Sequence, residues 1–357
     1  MILVVSNMYP SPQAPNYGVF VRNFCEKLQE THEIKIISLT KKNNKLTKLM
    51  GYLIFYLNIF FHFVFRRYEL VYVHYAGYNS PPLLLGRLFN KKTKLIVNVH
   101  GSDVTPEKNL ERKTNFLTKY LVRLADLVVV PSVYFEKIVK KKYGDVPTFI
   151  SPSAGIDSTI FNGDHCHLKE AQSFVIGYVS RVDKEKGWDT ALYAFSKILN
   201  KIPEAKLIMI GSGKENEEAV KLIEELKLEK DVEKIEMLDQ QRLAYYYSSF
   251  DVFLFPSVRA GESLGLVGLE AMACGTPVIG SDCGGIKTYV KHGINGFLFT
   301  PKNVESLAQS ILEFYELSEN QKKEMSAHAL STARDYDAQK VNNQLIDKIN
   351  FVLEEIK

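Results

Sequence analysis

The sequence predicts an α/β protein of two doubly wound, Rossmann-like domains, and three observations carry that reading. Short apolar runs bounded by proline, glycine or polar residues alternate with stretches of helical apolar spacing, as buried parallel strands alternate with their crossover helices. The alternation stops over residues 160–173, which are polar and patternless, and restarts at Phe174-Val175-Ile176-Gly177-Tyr178-Val179. A chain of 357 residues is long enough for two domains that each bury a core. The expected organisation is a first domain over 1–160, a second over 161–335, and a last helix over 336–357 with apolar residues at Val341, Leu345, Ile349 and Val352.

Residues 2–5 form the first buried strand, followed by a proline- and asparagine-rich loop (6–17) and a helix opened by Gly18. In a doubly wound sheet that loop lies at the carboxyl edge, where ligands bind. Residues 34–39 are a second strand. Residues 41–67 are then unusual: four lysines (Lys41, Lys42, Lys45, Lys48) precede the apolar, aromatic run 49–65, and Arg66-Arg67 closes it. Three readings stand open. The run is a buried helix, a helix lying on an anionic inner leaflet with its lysines at the headgroups, or a membrane span. A span would have to sit between two strands of one domain. Residues 70–74 and 95–100 are further strands, ending in His74 and His100, and the second runs into Gly101-Ser102-Asp103. A histidine at the carboxyl end of a parallel strand stands where such folds hold ligands, which marks both for the site; His74 also suits packing.

The second half centres on residues 251–278. Asp251-Val252-Phe253-Leu254-Phe255 reads as a strand, Leu264 to Ala273 has helical spacing, and Cys274-Gly275-Thr276-Pro277 stops the helix. Helix N–H groups and dipole near Ser263, Leu264, Gly265 and Leu266 suit a phosphate, and Gly261 and Gly265 let it approach the backbone. Glu262 lies in the loop and Glu270 in the helix, about 9 Å further along the axis. Ionised carboxylates only accept hydrogen bonds and so suit hydroxyl-rich partners. On spacing alone, a buried helix with a capping glutamate and an incidental second one reads equally well. Upstream, Arg181 and Lys186 flank a charged turn after the strand 174–179, and Gly211 and Gly213 end another strand. Asn216 occupies the third glycine's place of a dinucleotide fingerprint, which excludes that motif.

Composition narrows the class. Hydrophobic content of 46% and charged content of 24% are those of a globular protein, and a net charge of +4 fits an anionic ligand or membrane surface better than nucleic acid. The four cysteines have no paired spacing, which argues for a reducing compartment and against a structural metal. His165-Cys166-His167 is one short tract with no second half and reads as linker surface. Tyr9-Pro10-Ser11-Pro12 breaks the first apolar run too early for a signal peptide, so a cytoplasmic location is expected.

The segment Pro256-Ser257…Glu262-x-x-Gly265-Leu266-Val267-x-Leu269-Glu270-Ala271-Met272-Ala273-x-Gly275-x-Pro277-Val278 resembles the signature of the retaining GT-B glycosyltransferases of family 4. The resemblance implies a GT-B fold, two Rossmann-like domains facing a central cleft, with the last helix crossing back onto the first domain. It implies that Glu262 contacts the transferred sugar, that Glu270 holds the nucleotide ribose, and that Arg181 and Lys186 grip the donor diphosphate. His100, in a His-Gly-x-Asp segment, falls near the reacting sugar, with Asp103 and His74 on the acceptor side, and Gly18 is what remains of a glycine pair over the sugars. Departures are plain: Ser153-Ala154 stands for Pro-Asn, Ile286-Lys287-Thr288 for Ile-Pro-Glu, and the base-contacting segment ends in Asp239 instead of glycine.

The expected activity is retaining transfer from a UDP- or GDP-linked sugar to a glycan or polyprenyl-diphosphate-linked acceptor in cell-surface polysaccharide synthesis. No Asp-x-Asp pair stands at a strand end, so no cofactor or metal is expected. A catalytically silent nucleotide-sugar-binding subunit is the alternative.

Overall fold

The computed structural model describes residues 1–15, 17–42, 44–107, 109–163 and 173–354. The tract His165-Cys166-His167 lies outside them. The chain forms two compact units, 1–154 with 341–357, and 155–340. The cut expected at 160 falls earlier because Ile156 pairs inside the second unit. Its N–H donates to Tyr336 O and its carbonyl accepts from Ala338 N, both at 2.8 Å.

The first unit strings β1 (Ile2–Tyr9), α1 (Val19–Gln29), β2 (Ile34–Thr40), α2 (Lys45–Phe65), β3 (Leu70–His74), α3 (Ala76–Arg87), β4 (Lys94–Asn98), α4 (Asn109–Arg123), β5 (Leu127–Val130), α5 (Val133–Tyr143) and β6 (Thr148–Ile150). Its sheet is parallel in the order β2-β1-β3-β4-β5-β6. The strands are near-continuous apolar runs because both faces are covered. On one face Leu3, Val5, Val71 and Val97 meet Phe55, Ile59 and Phe63 of α2; on the other Ile2, Val4 and Tyr72 meet Val21, Phe24 and Leu28. The same second core holds Leu345, Ile349 and Val352, because α12 (Ala338–Glu354) returns to this unit. β1 runs to Tyr9, four residues past the expected strand end, since Tyr9 pairs with Thr40 beyond a register shift.

The second unit comprises β7 (Phe174–Val179), α6 (Trp188–Ile198), β8 (Ala205–Ile210), α7 (Asn216–Glu225), β9 (Val232–Ile235), α8 (Gln240–Ser249), β10 (Val252–Phe255), α9 (Leu266–Ala273), β11 (Val278–Ser281), β12 (Gly296–Phe299), α10 (Val304–Glu316) and α11 (Glu319–Arg334). Its parallel sheet runs β12-β11-β10-β7-β8-β9. Strand order reverses between β7 and β10, so their carboxyl ends make the switch point at which such sheets hold ligands.

Those two central strands meet at Gly177, where a Cβ would lie 2.0 Å from the Phe250 ring, itself fully buried. Gly177→Ala is therefore expected to destabilise the second unit by about 1–3 kcal/mol. Trp188, the single tryptophan, is buried in that unit's core and reports its unfolding in urea. An unchanged midpoint would show that Phe250 yields freely.

Candidate active site

The signature loop leaves β10 at Pro256 and enters α9 through Gly265. At φ +82° this residue takes a left-handed conformation, and a Cβ there would meet the Phe255 ring at 2.3 Å. Tyr289 Oη donates to Gly265 O at 3.0 Å, and Gly268 is bare of side chain just where a Cβ would strike that hydroxyl. The helix begins at Leu266, not at Leu264 as its periodicity predicts, because Leu264 is pulled into the core under the loop with Phe255 and Leu269. Leu264 thus has only its backbone to offer a ligand.

Glu262 is the hub. Its carboxylate forms an ion pair with Lys186 and accepts from Ser257 Oγ at 2.9 Å, and both charged side chains are nearly buried, at 13% and 11% exposure. Backbone bonds lock the parts in place: Val258 N–H donates to Glu185 O at 2.9 Å and Gly285 N–H to Glu262 O at 3.0 Å. Burial by itself would raise the Glu262 carboxyl; the Lys186 ammonium and the hydrogen bonds from Lys186 and Ser257 outweigh it and hold the group below the ordinary value. Arg181 does not join this cluster. It lies 61% exposed and pairs with Asp183 at 2.8 Å.

Glu270 lives in the opposite environment. Equally enclosed but with no cation among the described residues to offset it, it is pushed by burial up to about 7, against the hydrogen bond from Tyr247 Oη at 3.1 Å. Gly211, just after β8, packs so closely that a Cβ would sit 2.0 Å from Ser180 O, directly before Arg181. Ser257, Tyr247 and Tyr289 are the supporting residues that sequence reasoning missed. Ser257 stood in the motif without an assigned role, and no spacing singles out the tyrosines.

In the first unit, His100 follows β4 and stacks among Phe20, Tyr75 and His74, with ring centroids 4.9, 4.5 and 5.3 Å away. Its Nε2 lies 3.2 Å from His74 Nδ1, and burial lowers both rings, His100 to about 3, so the pair is neutral. His74 is buried against Phe24 and Tyr72, which makes it packing for His100. Asp103 is a clamp: its carboxylate accepts backbone N–H groups of Gly101 at 2.9 Å, His100 at 3.1 Å and Ala76 at 3.1 Å, tying the ends of β3 and β4 together. Gly18, at φ +79°, opens α1 against Met8, whose carbonyl carbon a Cβ would approach to 2.8 Å.

The family model "Glycosyl transferases group 1" matches residues 165–331, and "Glycosyltransferase Family 4" matches 16–152. The chain belongs to the group 1 glycosyl transferases. It is 28% identical over 258 residues, 69% of its length, to the N-acetyl-alpha-D-glucosaminyl L-malate synthase of Bacillus anthracis. It spans 34–65% of the length of the first curated relatives it matches. The fold is GT-B, as in sucrose-phosphate synthase from Thermosynechococcus elongatus (TM-score 0.82, 19% identity, 99% of this chain and 100% of that one). Anabaena HepE, solved in complex with UDP-glucose, matches at TM-score 0.76 and 19% identity over 98% and 99%.

The raised Glu270 carboxyl has a stability consequence. The folded chain holds that proton more tightly than the unfolded one, so stability falls as pH rises from the ordinary carboxylate value near 4.5 to about 7. Glu270→Gln keeps an acceptor for Tyr247 and removes the charge. It is expected to raise second-unit stability by about 1–3 kcal/mol at pH 8, with the gain vanishing near pH 4. A gain independent of pH in Trp188-monitored unfolding would contradict the assignment.

Proposed function

We propose that the protein transfers a sugar from a nucleoside-diphosphate donor to a hydroxyl of a glycan or lipid-linked acceptor, with retention and without a metal ion. The observation that carries this reading is the buried Lys186–Glu262–Ser257 cluster at the β7/β10 switch point, with Glu270 further along α9. Glu262 accepts hydroxyl hydrogen bonds of the transferred sugar, and Glu270 those of the ribose. Lys186, with Arg181 once it leaves Asp183, neutralises the diphosphate. As the bond from the anomeric carbon to the phosphate oxygen breaks, its electron pair stays on the nucleoside diphosphate, and cations already in position stabilise that charge most in the transition state. The acceptor oxygen bonds to the anomeric carbon on the same face, and its proton passes to the departing phosphate oxygen. Neutral His100 supplies a hydrogen bond near the reacting sugar.

HepE's UDP-glucose supports a uridine donor, with a GDP-sugar as the other candidate. The setting we propose is cytoplasmic, at the inner face of the cytoplasmic membrane, in cell-surface polysaccharide synthesis with a polyprenyl-diphosphate-linked acceptor. The basic, apolar stretch 41–67 supports it.

Lys186→Ala and Arg181→Ala should each lower kcat/KM for a nucleotide-sugar donor at least tenfold, a charge-assisted hydrogen bond being worth about 1.5–3 kcal/mol. Near-normal kinetics in both would place the diphosphate elsewhere. A screen of UDP- and GDP-sugars for donor hydrolysis tests the activity itself, and hydrolysis of none would favour a silent binding subunit.

Transfer should also persist in excess EDTA. Loss that Mg²⁺ or Mn²⁺ restores would overturn the metal-independent reading.

A further inference from the structure

α2 presents an apolar stripe to solvent. Leu46, Leu49, Met50, Leu53, Ile54, Leu57, Phe61 and Phe65 recur at helical spacing and are each 47–67% exposed, while the opposite side inserts Phe55, Ile59 and Phe63 into the core. The stripe continues onto the end of α3. Phe89 meets Phe60 edge-on at 5.9 Å, Asn90 Nδ2 donates to Phe63 O at 2.8 Å, and Leu85, Leu88 and Phe89 are themselves exposed. So large an apolar patch marks an interaction surface. Its rim has one sign: Lys41, Lys42, Lys45, Lys48, Arg66, Arg67, Lys91 and Lys92 are exposed, and neither 41–68 nor 76–98 contains an aspartate or glutamate.

α2 is long and apolar enough to cross a membrane by length and composition, but it cannot do so here. It connects β2 to β3, both hydrogen-bonded to β1 in one sheet, and its inner face is part of that sheet's core. A second copy of the chain fits poorly, since a two-fold contact through this face would bring the lysine clusters together. An anionic lipid surface satisfies both the stripe and the rim.

A cavity of about 650 Å³ opens at the edge of the stripe. Lys45, Lys48 and Leu49 line it, and Leu49 belongs to the exposed stripe as well. Its walls carry Tyr52, Tyr56, Tyr75 and Tyr78, and Asp103 links it to the His100 segment. Asn7 Oδ1 and Thr118 Oγ1, both from cavity-lining residues, are buried with no hydrogen-bond partner among the described residues. Buried polar atoms left unpaired are the exception in folded proteins.

We propose that the outer face of α2 and the end of α3 lies flat in the headgroup region of an anionic leaflet, and that the adjoining cavity takes the hydroxyl-rich headgroup of a lipid from that leaflet, its phosphate against Lys45 and Lys48. The docking stands on the surface alone. That the cavity's lipid is the acceptor rests on the transferase reading above.

The full chain should co-sediment with vesicles containing one third phosphatidylglycerol, bind at least tenfold less to pure phosphatidylcholine, and be released by about 0.5 M NaCl, where screening shortens to a few ångströms. The double variant Leu53→Glu/Leu57→Glu, changed only at exposed positions outside the cavity, should lose at least tenfold in vesicle affinity, with unaltered circular dichroism and donor hydrolysis. Failure of the native chain to bind at low salt, or undiminished binding by the variant, overturns the docking. So does a dimer without lipid, in light scattering, that the variant abolishes. For the cavity, dihexanoyl-phosphatidylglycerol below its micelle concentration should bind saturably, monitored by calorimetry, and at least fivefold more weakly to Lys45→Gln/Lys48→Gln. Inorganic phosphate alone should not compete; no saturable binding, or equal competition by phosphate, removes the headgroup site. Donor hydrolysis without vesicle binding would leave the transferase reading standing and the docking refuted, and vesicle binding without hydrolysis the reverse.

Discussion

The buried ion pair of Lys186 and Glu262 is the constraint on which the donor-side architecture depends. Taking both charges out of water costs several kcal/mol per ion, and attraction alone repays it only in good geometry with the remaining valences satisfied. Here the geometry is imposed from the backbone. The turn bearing Lys186 hangs from β7 and is pinned to Val258 through Glu185, the loop bearing Glu262 hangs from β10 and is pinned by Gly285, and Ser257 fills a further carboxylate valence. Two adjacent parallel strands thus hold opposite charges in place before any ligand arrives. In the donor complex proposed above, the diphosphate would meet a cation already positioned, and its charge would compete with Glu262 for Lys186.

Glu262 and Glu270 are two copies of one side chain, eight positions apart, held in opposite states by their surroundings. A cation keeps the first ionised, while the second has a phenol for a partner and titrates near neutrality. The protonated form of Glu270 suits an apolar helix packed between Tyr247 and the core. Ligand hydroxyls that donate to it would favour the ionised form. If Glu270 holds the donor ribose as proposed, donor binding and proton release there would be linked.

Much of this was legible in the sequence, and the gaps have physical causes. Strand identity came through because parallel strands covered on both faces are written as unbroken apolar runs, as in Leu127–Val130. The signature residues were found because Glu262, Gly265 and Glu270 lie in one short stretch. Partners remote in sequence were not. Tyr247 reaches Glu270 across 23 positions and Tyr289 reaches Gly265 across 24, and neither contact has a local pattern. Asp103 was placed on the acceptor side by its neighbour His100, and its oxygens are committed to backbone N–H groups just past the ends of two strands, a pairing that only topology creates. The helix start was misplaced by two residues because Leu264 continues the apolar spacing while serving the core from a loop.

The apolar segment of the first domain shows why composition alone cannot separate core from surface. A crossover helix needs about a third of its circumference apolar to cover a sheet, and α2 meets that need with Phe55, Ile59 and Phe63. Everything apolar beyond those positions is surplus to folding. Left in water, that surplus is a standing aggregation hazard, which exposed lysines and arginines at both ends of the helix oppose by repulsion. In the docking proposed above, the same cations would attract an anionic leaflet. One helix can therefore close the core of a sheet and, in the docking proposed above, meet a lipid surface, because the two tasks use opposite faces and conflicting demands never fall on the same residue.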